Sequence, residues 1–194
     1  MTRLIILTPK ERRLFDAPPR FNSSERALNF TLTNEELKII YAMRTSTNKI
    51  GFILQFCYFK ANGKFFIAEQ FRQNDIAYAS KILGISLDEI NLLSYQKKIP
   101  TDHRKKVLAL LDWQAFDGIV EEKIIDQVKW LTQRQFSPRH VFLSIIDFCW
   151  KNKFELPSYN TLATILTNSY NNFESNLICI LTNKLTHLNR EKLN

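Results

Sequence analysis

An all-α fold is what this sequence predicts, on three observations. Only four glycines and six prolines occur in 194 residues, so little of the chain is broken by turns. Long stretches repeat apolar residues at helical rather than strand spacing. Thr-x-x-Glu signatures, which start helices, precede two of those stretches. The apolar share of 45% is enough for a real core, in one domain or two small ones.

Each element has its own justification. Thr8-Pro9-Lys10-Glu11 opens a first helix with threonine as cap, proline in the first turn and glutamate three residues after the cap. That helix should stop before Pro18-Pro19. A short second helix is predicted from Ser23-Ser24-Glu25-Arg26. Thr33–Glu36 is another capping box, ahead of a helix through Leu37, Ile40 and Met43.

The most apolar segment comes next. Eight of the ten residues from Ile50 to Phe59 are large and apolar or sulfur-bearing, with Gly51 and Gln55 the exceptions. Apolar positions then fall on nearly every side, so the helix should be buried by others. It is too short to cross a bilayer. Asn48 is the expected cap of this helix, and Gly63 suits the left-handed residue after its end. Gln55 needs a partner if buried, and a structural hydrogen bond is its expected use. Phe65 and Phe66 should close over the core.

Ile76–Leu83 is predicted as a helix ended by Gly84, and Asp88–Gln96 as its successor. Thr101–Trp113 is amphipathic, with Val107, Leu108, Leu110 and Leu111 inward. Gln114–Gly118 is the best candidate boundary. Helices are then expected at Val120–Gln135, from Ser137-Pro138 onward, at Ser158–Asn168 after a bend at Phe154–Pro157, and from about Phe173 to Leu188. The Asn-rich patch Asn168–Asn172 reads as a loop.

Formal net charge is +8 and unevenly placed: residues 1–112 hold 18 Lys/Arg against 11 Asp/Glu, and residues 113–194 hold 9 against 8. A basic half suits an anionic partner, nucleic acid before membrane, because no basic helix presents one clean apolar face. Cys57, Cys149 and Cys179 are odd in number and widely spaced, which predicts buried free thiols. The start lacks a secretory signal, so a cytoplasmic protein is expected. His103, His140 and His187 lie far apart, without neighbours at metal spacing. No Gly-rich phosphate loop or nucleophile elbow occurs. No catalytic residue, metal or cofactor is therefore expected.

The densest basic cluster runs from Lys97 to Lys106. Lys97, Lys98, His103, Arg104, Lys105 and Lys106 surround a helix N-terminus, where cations and free N–H groups can hold phosphates. They would position a backbone rather than read bases; the plainer reading is a solvated face. Arg44, Asn48 and Lys49 stand at the entrance of the apolar helix, Lys60 and Lys64 at its exit. Ala77–Gln96 has a helix-turn-helix outline across Leu83-Gly84-Ile85-Ser86, although Asp88 and Glu89 would repel a phosphate. A second outline joins Ser137–Lys151 to Ser158–Asn168. There Ser158, Tyr159 and Asn160 offer hydroxyls, an amide and a ring, with Arg134, Arg139 and His140 nearby.

These residues also carry a resemblance. Arg44, then Asn48-Lys49-x-Gly51-Phe52-x-x-Gln55-x-Cys57-x-Phe59-Lys60, ending in Gly63-Lys64, resembles the N-terminal DNA-binding region of transposases of the Tn-three family. Leu7–Phe15, Phe30–Leu37, Ile82–Ile85 and His103–Trp113 resemble flanking landmarks in the same order. The resemblance implies an all-α, multi-helical chain of two packed helical modules containing helix-turn-helix-like units. The first, DNA-binding, would span residues 1–113; the second, residues 119–194, would be another candidate for DNA binding. It implies recognition of the terminal inverted repeats of a transposon on double-stranded DNA, with the rest of the transposase chain as a partner and no membrane. A homodimer is compatible with it. The Asp-Asp-Glu catalytic domain of such enzymes is not expected here, so this chain alone should not cut DNA. The alternative is a helical protein–protein interaction module, such as a self-association surface, without direct DNA reading.

Overall fold

A computed structural model describes residues 4–95 and 98–191. Among them are nine α-helices, three short 3-10 turns and no strand apart from one isolated bridge, so the fold is all-α and multi-helical. The helices are α1 (Pro9–Phe15), α2 (Ser23–Asn29), α3 (Asn34–Tyr41), α4 (Ser46–Asn62), α5 (Gln73–Leu83), α6 (Lys98–Leu111), α7 (Gly118–Thr132), α8 (Pro138–Lys151) and α9 (Tyr159–Glu191). The chain divides into two compact units. One comprises residues 13–115 with 153–156; the other comprises residues 1–12, 116–152 and 157–194.

The unit holding residues 13–115 is built around α4. Every residue from Ile50 to Phe59 is buried, with α2, α3, α5 and α6 packed about it. The cap differs from expectation. Thr45 is extended and accepts from the Asn48 N–H at 3.1 Å, so the helix begins before Asn48 and leaves that side chain in its first turn. At the far end Gly63 is left-handed, with φ 63°. Gln55 donates to the Phe66 carbonyl at 2.6 Å and accepts from the Phe66 N–H at 3.2 Å, which pins the chain leaving α4. Phe66 is thereby buried, while Phe65 stacks on Phe59 with centroids 4.5 Å apart.

Gly51 has a packing reason. A Cβ there would lie 2.2 Å from the ring of Tyr95, itself buried. Replacing an interior helical glycine by alanine ordinarily stabilises by about 0.5–1 kcal/mol. Here Gly51→Ala is expected to do the reverse, costing about 1–3 kcal/mol through overpacking. Denaturant unfolding would show the sign directly.

Three further expectations change. α5 starts at Gln73, earlier than Ile76, and ends as expected at a left-handed Gly84. The helix expected from Asp88 is absent: Leu87–Glu89 and Leu92–Ser94 are separate 3-10 turns. Asn91 explains the break. Its N–H donates to Thr47 Oγ1, and its side chain accepts from Leu93 N–H, so local bonds displace a helical ladder. The first helix-turn-helix outline therefore has no second α-helix between residues 87 and 95; Gln96 lies outside the described residues. In α6, Val107 and Leu108 are buried, but Leu110 is exposed rather than inward.

Residues 153–156 form a strap on this same unit. Gln114 N–H donates to the Lys153 carbonyl at 2.8 Å and Glu155 N–H to the Gln114 carbonyl at 2.9 Å. Leu156 N–H donates to the Gly63 carbonyl, also at 2.9 Å.

The other unit packs α7, α8 and α9 together. Asp117 caps α7 through two N–H groups, and Ser137 caps α8 ahead of Pro138. Val120, Ile124, Val128, Val141, Phe142, Ile145, Leu162 and Leu166 are buried. α9 runs unbroken through Asn168–Asn172, where a loop was expected. Leu162, Ile165, Leu166 and Ser169 are buried, and this packing overrides the low helix propensity of the asparagines. Cys57 and Cys149 are buried free thiols as expected, but Cys179 is exposed, because it lies on the part of α9 that projects into solvent. Among the described residues no helix is long and apolar enough to cross a membrane.

Candidate nucleic-acid interface

One groove collects several of the basic and amide side chains singled out in the sequence. Arg44, Asn48 and Lys106 line it together with Ile39, Ala42, Met43, Ile99, Asp102 and His103, around a volume of about 260 Å³. Local structure explains the convergence. α3 stops at Ala42 and Thr45 caps α4, so Arg44 stands in the short turn between helices and Asn48 in the first turn of α4. On α6, Ile99, Asp102, His103 and Lys106 are spaced to share one helical face. Arg44 and Lys106 are exposed and Asn48 is half-buried; Lys105, next to Lys106, is exposed as well.

His103 forms the groove's inner wall rather than a free ligand. It is buried, its Nδ1 lies 2.7 Å from the Tyr95 hydroxyl, and its ring meets the edge of Phe52 at 5.2 Å. Burial, reinforced by Lys106, lowers its pKa from 6.5 to about 4. The neutral ring therefore shares one hydrogen bond with the tyrosine hydroxyl at Nδ1. A depressed histidine pKa means that the unfolded chain binds the extra proton between pH 6.5 and 4. Stability is fully present above about pH 6.5 and is lost as pH falls towards 4, by up to about 3 kcal/mol from this residue. His103→Gln, whose amide can still hydrogen-bond Tyr95, should flatten the stability–pH curve in that window, as urea midpoints measured at each pH would show.

The remaining candidates are placed as follows. Arg104 is half-buried and forms a two-pronged pair with Glu155, its Nε 2.9 Å from Oε1, so its donors face the strap and not a phosphate. Lys64 is buried: its ammonium bonds Asp16 at 2.9 Å and the Phe15 carbonyl at 3.0 Å, above the Phe15 ring. Burial lowers its pKa to about 8, with Asp16 opposing. Neither residue is available to DNA as the sequence suggested. Lys49 lies over the Tyr41 ring at 5.7 Å. Lys60 is exposed beside Phe56, about 16 Å along α4 from Lys49. Lys97 and the side chain of Lys98 lie outside the described residues.

In the other unit the polar side chains hold structure. Tyr159 is buried against Phe142, with the Arg12 guanidinium 4.5 Å above its ring, so it packs and does not face a groove. Asn160 accepts from Arg12 at 3.4 Å. Ser158 is exposed and accepts from the Thr161 N–H. Arg139 pairs with Glu11 at 2.6 Å, and with Thr8 holds that carboxyl down at about 2. Its charge is matched within the protein. Arg134 covers the Trp130 ring and His140 stacks on Phe136.

Sequence reasoning missed Asp102 and the apolar wall of Ile39, Met43 and Ile99. The one-face spacing along α6 was the available signal. It also missed a buried network in which Asp75 accepts from Arg26 Nε at 2.6 Å and from the Tyr58 hydroxyl at 2.9 Å. The Tyr58 oxygen in turn accepts from the Arg72 N–H at 3.1 Å. No local pattern announces partners so distant in the chain. Among the described residues no cluster of His, Cys, Asp or Glu could hold a metal.

In sequence this all-α chain is similar to part of a transposase. Residues 6–168 match the family described as a domain of unknown function, DUF4158, and the chain belongs to that family. It is 25% identical over 191 residues to the transposase for transposon Tn1546 of Enterococcus faecium, which takes in 97% of this chain and 19% of that protein. The chain thus spans about a fifth of the length of that relative.

Proposed function

We propose that this chain is a DNA-binding part of a transposase that recognises the terminal inverted repeats of its transposon. The observation that carries the reading is the meeting of Arg44, Asn48 and Lys106 in one groove at the start of α4, with Lys105 exposed alongside. Arginine and lysine suit phosphates, while an asparagine in the first turn of a helix suits a base edge or a backbone oxygen. Asp102 would repel phosphate from one side of the groove and so limit where the strand can run. In this reading the groove-bearing unit, residues 13–115 with 153–156 rather than the unbroken stretch 1–113, is the DNA-binding module, and the other unit is a second helical module. Strand cleavage belongs to other parts of the transposase, which become partners of this chain.

The test is fluorescence anisotropy with the inverted repeat against scrambled duplex, across a salt series. Binding should prefer the repeat, and log K should fall linearly with log salt, by about 0.9 for each phosphate neutralised. Equal affinity for both duplexes at every salt concentration would reject the recognition of ends.

A further inference from the structure

Around Leu177–Leu181 α9 is amphipathic, and none of the described residues covers its apolar face. Its seam starts with Leu162 and Leu166, both buried, and continues at helical spacing through Leu177, Ile180 and Leu181. There the burial ends: Leu177 is 39% exposed, Ile178 65%, Ile180 52% and Leu181 57%. An apolar stripe of this kind marks a docking face. The residues themselves say what fits it. Between Ser169 and Lys184 the only charged side chains are Glu174 and Lys184. They are about 15 Å apart along one helix, too far to pair with each other, and neither joins an ion pair among the described residues.

The segment is nearly symmetric about Cys179. At equal steps on either side, Ile178 matches Ile180, Leu177 matches Leu181, and the acid Glu174 matches the base Lys184. A two-fold axis level with Cys179 and perpendicular to the helix would set each of these against its match in an identical, antiparallel helix. Apolar would meet apolar and acid would meet base, twice over, as a closed two-fold interface requires. A parallel pair would instead set Glu174 on Glu174 and Lys184 on Lys184. The Cys179 sulfur lies on the opposite, polar side, 3.7 Å from Asn183 Nδ2, so no disulfide is involved.

We propose that the projecting end of α9 pairs with the same segment of a second copy of this chain, antiparallel about Cys179. One helix pair buries less than the standard interface of about 1,600 Å², so the dimer is weak and concentration-dependent. The proposal is independent of DNA binding and is tested without DNA. In sedimentation equilibrium of the whole chain, the mass should rise from 22.9 kDa towards twice that value as concentration increases. Glu174→Lys or Lys184→Glu alone places like charges together in both symmetric pairs and should weaken association roughly tenfold or more. Combining the two substitutions restores the matches and should restore the dimer. Both positions are exposed, and circular dichroism would confirm that each variant is folded. A monomer at every concentration would overturn the proposal. So would association indifferent to the single reversals, or not recovered in the double variant.

Discussion

Replacing Asp75 by alanine is expected to destabilise the protein by about 3–5 kcal/mol, the usual loss when one member of a buried ion pair is removed. Asp75 is fully buried, and its two carboxylate oxygens are engaged separately by Arg26 and by the Tyr58 hydroxyl. Arg26 also donates to the Phe21 carbonyl, and Arg72 clamps the Pro18 and Pro19 carbonyls while its N–H reaches Tyr58. The carboxylate thus joins α2, α4 and α5 and, through Tyr58, the proline turn. Alanine leaves a guanidinium and a phenol without their acceptor. The melting temperature should fall by on the order of 10 °C. A loss below about 1 kcal/mol would show that water replaces the carboxylate at little cost. Asp75→Asn, which keeps an acceptor for one partner, should fall between wild type and alanine.

The second large effect concerns DNA. Arg44→Glu combined with Lys106→Glu should weaken binding to the inverted repeat by roughly a hundredfold or more at low salt. It should also flatten the salt dependence by about two phosphate contacts. Both side chains are exposed, so the fold should survive. Lys60→Glu, at the other end of α4, changes the net charge in the same direction but lies outside the groove, and should alter affinity only slightly. If it weakened binding as much as the double variant, a diffuse positive field rather than the groove would hold the DNA.

Much of the fold was legible because local and global signals agreed. The apolar run Ile50–Phe59 had to be buried on all sides, Gly63 and Gly84 had to end helices, and Ser137-Pro138 had to start one. The misreadings arise where a distant partner decides. Asn48 is as good a cap by composition as Thr45, and only the backbone geometry at residue 45 selects between them. Asn168–Asn172 has poor helix propensity, yet α9 passes through it because of burial at Leu166 and Ser169. The α-helix expected from Asp88 yields to Asn91, whose N–H is held by Thr47 from another element.

Which candidate side chains are already engaged inside the protein was not legible, for the same reason. A cluster of cations in sequence says nothing about which already have partners. Lys64, His103, Arg104 and Arg139 each have one, at Asp16, Tyr95, Glu155 and Glu11. At the groove, Arg44 and Lys106 join no ion pair among the described residues.

The strap at residues 153–156 has a consequence in time. It completes a unit whose other residues end at Ala115, and the whole α7–α8 hairpin intervenes. A nascent chain that has emerged only as far as Trp113 holds Arg104 without its carboxylate and the Gly63 carbonyl without its donor. The last layer of the earlier unit must wait for some forty more residues to be synthesised, a delay of seconds at ordinary rates of translation. During that interval the rim of α6 beside the strap remains open. Chain order therefore lets the unit built on residues 13–115 begin folding early and finish late.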